Sequence, residues 1–191
     1  MSETILLSHG SGGQMSHDLI NDLFVSYFDN SILTSQTDSA VLNIPPEDLS
    51  FTTDSYVVDP VFFPGGDIGK LAVCGTVNDL AVSGAVPKYL SAGFIIEEGF
   101  ELEKLERIVS SMATEARKAG VQIVTGDTKV VDRGKADKIF INTAGIGILD
   151  PKFKQLSYGK NITSGDKVIV NGTMGDHGVA IMAKRENLGI K

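Results

Sequence analysis

Asp38, Asp54, Asp67, Asp79 and Asp127 recur at turn or helix positions beside glycine, serine, threonine or asparagine, without matching basic residues. Carboxylates gathered in one place repel each other, and Mg²⁺, hard and oxygen-seeking, relieves that repulsion when carboxylates and phosphate oxygens hold it together. Asp38 and Asp54 stand in the same local phrase, Thr37-Asp38-Ser39 and Thr53-Asp54-Ser55. The small hydroxyl neighbours leave room around each carboxylate, although Asp/Ser/Thr clusters are equally ordinary turn chemistry. In Gly126-Asp127-Thr128-Lys129 an anion and a cation follow a short apolar run. The spacing predicts that they lie just past the end of a strand, where α/β folds gather ligand chemistry; the alternative is a polar β-turn. Lys129 suits a phosphate as a point charge, and Lys70 is a second candidate. Gly10-Ser11-Gly12-Gly13 makes a glycine-rich loop ahead of an amphipathic segment, an arrangement whose amides can wrap phosphates. Its spacing is neither a Walker A pattern nor a dinucleotide fingerprint, and a mobile terminus also explains it. These residues together read as a magnesium-dependent nucleotide site.

Other chemistries find less support. No Ser/His/Asp order or nucleophilic cysteine is recognisable. His9, His17 and His177 do not make zinc spacing with the lone Cys74. Cys74, within an apolar helical segment, reads as a small buried core residue rather than a reactive thiol. His177 beside Asp176 is either a general acid or base or part of a helix entry. The net charge of -7 with scattered basic residues argues against a nucleic-acid surface. No apolar run approaches a membrane span and no signal-peptide layout opens the chain, so a cytoplasmic protein is expected.

The element that must position these residues runs from Asp59 to Pro87. Pro64-Gly65-Gly66 breaks an extended run, Asp67 stands as helix N-cap, and Gly84 with Pro87 closes the segment. The helix between is apolar on nearly every side and is expected to be largely buried. Asp79 within it has Ala72, Gly75, Thr76, Val82 and Ser83 as helical neighbours, a stripe of mostly small side chains. A carboxylate buried there either ligates a metal or caps the amides of a neighbouring loop. Upstream, a helix is expected at about 15–28, then strands on either side of Pro45-Pro46, the second containing Asp54. Downstream come a strand at 88–98, an amphipathic helix at 100–120, strands at 121–131 and 135–149, and a linker at 150–166. Lys167–Thr173 reads as a strand, MGDHG as a loop and the remainder as a helix. A boundary near residue 160 is expected, with residues 1–160 as the first domain and 161–191 as the start of a second, too short to bury a core alone.

LSHGSGGQ, the run from FTTDSYVV through Pro87 to Ser91, EEG, VTGDTKVV, INTAGIG and NGTMGDHG carry a more specific signal. Over nearly all its 191 residues the chain resembles the N-terminal half of the HypE family of NiFe-hydrogenase maturation proteins, in the superfamily of aminoimidazole ribonucleotide (AIR) synthase. The resemblance implies an α+β fold with a mixed β-sheet and packed helices, the sheet pairing across a homodimer into a β-barrel with Mg-ATP beside the interface. It implies Asp38, Asp54, Asp79 and Asp127 as metal or phosphate-site residues, Lys129 as a phosphate contact, and Asp67 near the nucleotide. Lys129 and Asp79 would serve catalysis. The loop Gly10, Ser11, Gly12 and Gly13 would close over the phosphates, with Gly126 and Thr128 completing the nucleotide contacts.

The implied reaction is ATP-dependent dehydration of the enzyme's own carbamoylated C-terminal cysteine to a thiocyanate. HypF would supply the carbamoyl group, and HypC and HypD would receive the cyanide for the hydrogenase iron. The sequence departs from the family in ending at Gly189-Ile190-Lys191 without the terminal cysteine. This polypeptide is therefore expected to dimerise and bind nucleotide without completing self-dehydration. A related superfamily kinase or synthetase, and a non-catalytic dimerising module that docks other maturation proteins, are the competing expectations.

Overall fold

The computed structural model describes residues 4–36, 39–44 and 48–188. A mixed four-stranded sheet in the order β1-β6-β4-β5 organises the molecule, with β1 at Asp48–Tyr56, β4 at Ala85–Glu97, β5 at Gln122–Val131 and β6 at Ile139–Leu149. β6 is antiparallel to both β1 and β4, whereas β4 and β5 run parallel. A parallel pair needs a long crossover, and the helix α4 (Leu102–Ala119) provides it. Its apolar residues recur at helical spacing, with Leu105, Ile108, Val109, Met112 and Ala116 all buried. Gly120, at φ 68°, ends it in the left-handed conformation that glycine adopts without cost.

Strand alternation assigns the two faces of the sheet. Leu90, Ala92, Phe94 and Ile96 of β4, with Ile139, Ile141 and Thr143 of β6, are buried beneath the helices. The opposite face carries Phe51, Val57, Val86 and Ile95, all exposed, with Phe51 at 69%. Among the described residues, no helix lies over this open apolar face.

The helix α3 (Ile68–Val82) lies on the covered face against α4, β1 and β6. A two-residue hairpin, β2 (Phe62–Phe63) with β3 (Gly66–Asp67), turns through Pro64-Gly65 into it. Asp67 caps its first turn by accepting from the Lys70 amide at 3.0 Å. The expectation of a largely buried helix needs correction: Ile68, Ala72, Val73, Thr76 and Leu80 are buried, Cys74 and Val77 are half-buried, and Asn78, Asp79 and Val82 are exposed. The sheet and α4 cover only part of its circumference, so its apolar far side remains open.

Helical structure spans 14–28, as α1 (Gln14–Leu19), a π-helical stretch (Ile20–Val25) and α2 (Ser26–Phe28). The N-terminal segment is tied down, because Ile5 donates to the Phe100 carbonyl and accepts from the Gly99 amide. Three strand expectations are corrected. Residues 39–44 form no strand, since no ladder reaches them and Val41 stands in solvent; Asp38 and Pro45-Pro46 lie outside the described residues. Residues 167–173 form no strand either, because no described strand pairs with them, and Val168 is 96% exposed. Gly126-Asp127-Thr128-Lys129 lies inside β5 rather than beyond it, because pairing with β4 continues from Ser91–Thr125 through Glu97–Val131. The linker 150–166 holds two short 3-10 turns, and α5 (Asp176–Arg185) then packs on the β2–β3 hairpin. Arg185 donates there to the Asp59 carbonyl, and the His177 ring stands edge-on to Phe63. Asp176 and His177 thus open a helix.

Candidate functional site

The glycine-rich loop and the Gly-Asp-Thr-Lys stretch meet. Leu7–Gly10 forms a 3-10 turn packed on β5, so close that a Cβ on Gly10 would stand 2.5 Å from the Val130 amide nitrogen. Ser11 Oγ donates to the Ser8 carbonyl at 3.0 Å, and the Gly12 amide donates to Ser16 Oγ at 2.9 Å, which folds the loop onto the start of α1. These bonds and the packing on β5 give the loop a defined fold against its neighbours. Gly13 is the N-cap residue of α1.

Between loop, helix and strand lies a cavity of about 370 Å³. Its polar side is His9, Gly10, Ser11 and Gly12 facing Gly126, Asp127, Thr128 and Lys129, and Ile20, Phe24, Phe28 and Phe94 give it an apolar side. Gly126 is required by packing, since a Cβ there would run into the Ala92 carbonyl oxygen of the paired strand. Asp127 and Lys129 are exposed, two residues apart on the edge strand, and both also border a second opening on the uncovered face of the sheet. The Asp127 carboxylate accepts from the Thr128 amide at 2.9 Å. Burial holds the His9 imidazole below its ordinary pKa.

Asp79 and Asp54 lie elsewhere, along the seam where α3 meets β1. Thr52 donates to Asp79 at 3.1 Å. Four residues along β1, Tyr56 wedges its hydroxyl against Gly75 and hydrogen-bonds Thr76, which joins the buried Thr143. Burial raises the Tyr56 phenol's pKa, with the neighbouring Asp54 adding to the rise. The stripe of small residues read from the sequence therefore receives Tyr56. β1 and β5 are opposite edges of the sheet, so the two sets of residues are separated by three strand spacings, about 14 Å at roughly 4.8 Å each. Asp67 belongs to neither, being engaged as the α3 cap, and the nearby Lys70 ammonium donates to the Gly65 carbonyl. Among the described residues of one chain, no three His, Cys, Asp or Glu gather as a cation site.

Sequence reasoning missed His9 and the apolar wall. Ile20, Phe24 and Phe28 have the periodicity of a core-facing helix, and nothing in that pattern tells a packed face from one that also borders a cavity. Cys74 is half-buried rather than buried, and burial raises its thiol pKa.

Residues 36–149 match the family described as AIR synthase related protein, N-terminal domain. The chain is 55% identical over 192 residues to carbamoyl dehydratase HypE of Escherichia coli (strain K12), covering 97% of this chain and 56% of that protein. The solved structure of hydrogenase maturation protein HypE in complex with ATP is 52% identical and superposes with a TM-score of 0.85 over 98% of this chain and 55% of the other. The HypE chain of a HypE–HypF complex, also 52% identical, gives 0.69 over 91% and 55%. The chain thus spans about half the length of the curated relatives it matches.

Proposed function

The chain belongs to the AIR synthase-related family, as a homologue of the N-terminal half of HypE, and from that premise we propose that it forms the Mg-ATP-binding, dimerising half of a carbamoyl dehydratase. The observation that carries this reading is the cavity between the Gly10–Gly12 loop and Gly126–Lys129. Loop amides and Lys129 suit phosphates, and the aromatic wall suits a base. A HypE homologue crystallised with ATP supports the same ligand.

The residues fit Mg²⁺ in their chemistry: its usual sites use one or two carboxylates with phosphate oxygens rather than an all-protein cage. Asp54 and Asp79 on the β1 seam, Asp127 on β5 and Asp38 are the carboxylates proposed to hold it. When bound, Mg²⁺ would neutralise phosphate charge as the phosphoryl group transfers. Lys129 orients the terminal phosphate and stabilises its developing charge, the loop amides hold the phosphates in place, and the cavity walls limit water. In the proposed reaction the oxygen of the cysteine-borne carboxamide takes the terminal phosphoryl group of ATP. That oxygen then leaves as phosphate, the two amide protons are lost, and the S–C≡N group remains with ADP.

Two copies are part of the proposal. The open apolar sheet face is suited to covering by a second copy, closing a shared barrel. This dimer accounts for the separation of the carboxylates, with the β1 seam of one protomer serving the β5 edge of its partner. HypF, HypC and HypD are the proposed protein partners, the first supported by the crystallised HypE–HypF complex. Residues 1–160 are proposed as the ATP-binding and dimerisation domain and 161–191 as the beginning of the next.

A thermal-shift measurement tests the site. Mg-ATP should raise the melting temperature of the 191-residue chain and AMP should not. A folded Lys129→Ala variant should show a weakened response; an unchanged response in that variant would count against the cavity.

A further inference from the structure

His9 lies on the polar wall of the cavity, beside Gly10 and Ser11 and in the same lining as Lys129. Its position is fixed by the backbone. The Leu6 amide donates to His9 Nδ1 at 2.9 Å, the back-reaching half of a helix-entry capping box. A ring nitrogen that accepts carries no proton, so the neutral imidazole bears its proton on Nε2. Burial lowers the pKa of the ring, which favours its neutral form. Among the described residues nothing accepts from that Nε2–H, so the turn presents a donor of settled tautomer and no protein partner. Ser11, Gly12 and Ser16 brace the turn through the Ser8 carbonyl and the Gly12 amide, so little ordering remains to be done when a ligand arrives.

The complement of such a donor is an acceptor oxygen. His9 shares the cavity lining with Gly10, Ser11, Gly12 and Lys129, the groups that the nucleotide reading assigns to the phosphates, which favours an anionic oxygen over a base edge. We propose that His9 is a positioning residue that donates its Nε2–H to a phosphate oxygen of the bound nucleotide. The proposal rests on the nucleotide reading above.

His9→Asn and His9→Gln separate the two nitrogens. The asparagine amide oxygen takes the place of Nδ1 and still accepts from Leu6, but the donor is gone; the glutamine amide nitrogen reaches the place of Nε2. With Mg-ATP, His9→Asn should bind about tenfold more weakly than the unmodified chain at an unchanged melting temperature, and His9→Gln should stay within about threefold. Adenosine binding should be the same in all three. Equal ATP affinity in His9→Asn, or an equal loss for adenosine, would overturn the assignment. A second measurement needs no variant: ¹⁵N resonances of the His9 ring should show unprotonated Nδ1 and protonated Nε2, with the Nε2–H signal moving on addition of Mg-ATP and not of adenosine. An unmoved signal in ATP-bound protein overturns the proposal, whereas failure of the unmodified chain to bind ATP overturns the nucleotide reading itself.

Discussion

Asp127 and Lys129 sit two residues apart on an edge strand, so both side chains leave the same face while Thr128 turns to the other. Neither is needed by the core, which makes them clean probes of ligand binding. Lys129→Ala should weaken Mg-ATP binding by about 10- to 100-fold, the loss of one charge-assisted hydrogen bond at roughly 1.5–3 kcal/mol, with the melting temperature unchanged. Calorimetric titration of the variant checks this, and affinity equal to the parent would remove Lys129 from the site. Cys74 gives a pH prediction. Its thiol pKa is raised, first by desolvation, so less thiolate is present at any given pH. Its alkylation rate should climb only at pH values above those of a free cysteine, and denaturant should abolish the difference. Much at this scale was legible beforehand: Asp67 follows a Pro-Gly-Gly break and caps the helix as its residue type predicts. His9 was not, because its role depends on which ring nitrogen meets the Leu6 amide, and no spacing encodes that.

At the scale of elements, α3 is held to the sheet by polar contacts as well as by its buried apolar side. Thr143 of β6 donates to the Ala72 carbonyl at 3.1 Å and shares a hydrogen bond with Thr76, and both threonines are fully buried. Thr143→Val should therefore cost about 1–3 kcal/mol in urea unfolding, because it strips partners from buried groups of α3. A change below a few tenths of a kcal/mol would mean that these hydroxyls do not anchor the helix. The periodic helix α4 was readable because its apolar stripe repeats over 18 residues. The continuation of β5 through Gly126-Asp127 was not, since polar residues and glycine mimic a turn. Only the neighbouring strand, whose Ala92 carbonyl occupies the space of a Gly126 Cβ, reveals why the glycine is there. Lys167–Thr173 shows the converse: a β-rich sequence stays unpaired where no described strand offers a ladder.

At the scale of the whole molecule, one side of the sheet is helix-covered and the other exposes Phe51, Val57 and Ile95. An apolar face of that kind marks an interaction surface, and the dimer proposed above places a second copy on it. Phe51→Glu should convert a dimer to a folded monomer in sedimentation velocity; a dimer that survives the substitution would locate its interface elsewhere. If Asp79 serves a partner's site, mixing Asp79→Asn with Lys129→Ala chains should restore about one competent site per mixed dimer. Recovery that never exceeds the separate variants would put the residues to work within a single chain. The open face was not legible in the sequence, since alternating Leu49 and Phe51 read as a core-facing side, and the division of candidate residues between opposite sheet edges required the strand order β1-β6-β4-β5.

The most direct test is calorimetric titration of the 191-residue chain with ATP, with and without Mg²⁺, beside Asp79→Asn and Asp127→Asn. Saturable binding that requires Mg²⁺ and is weakened in both folded variants is the predicted result. A folded dimer that gives no binding heat and no displacement of a fluorescent ATP analogue under either condition would contradict a nucleotide site in this half of the protein.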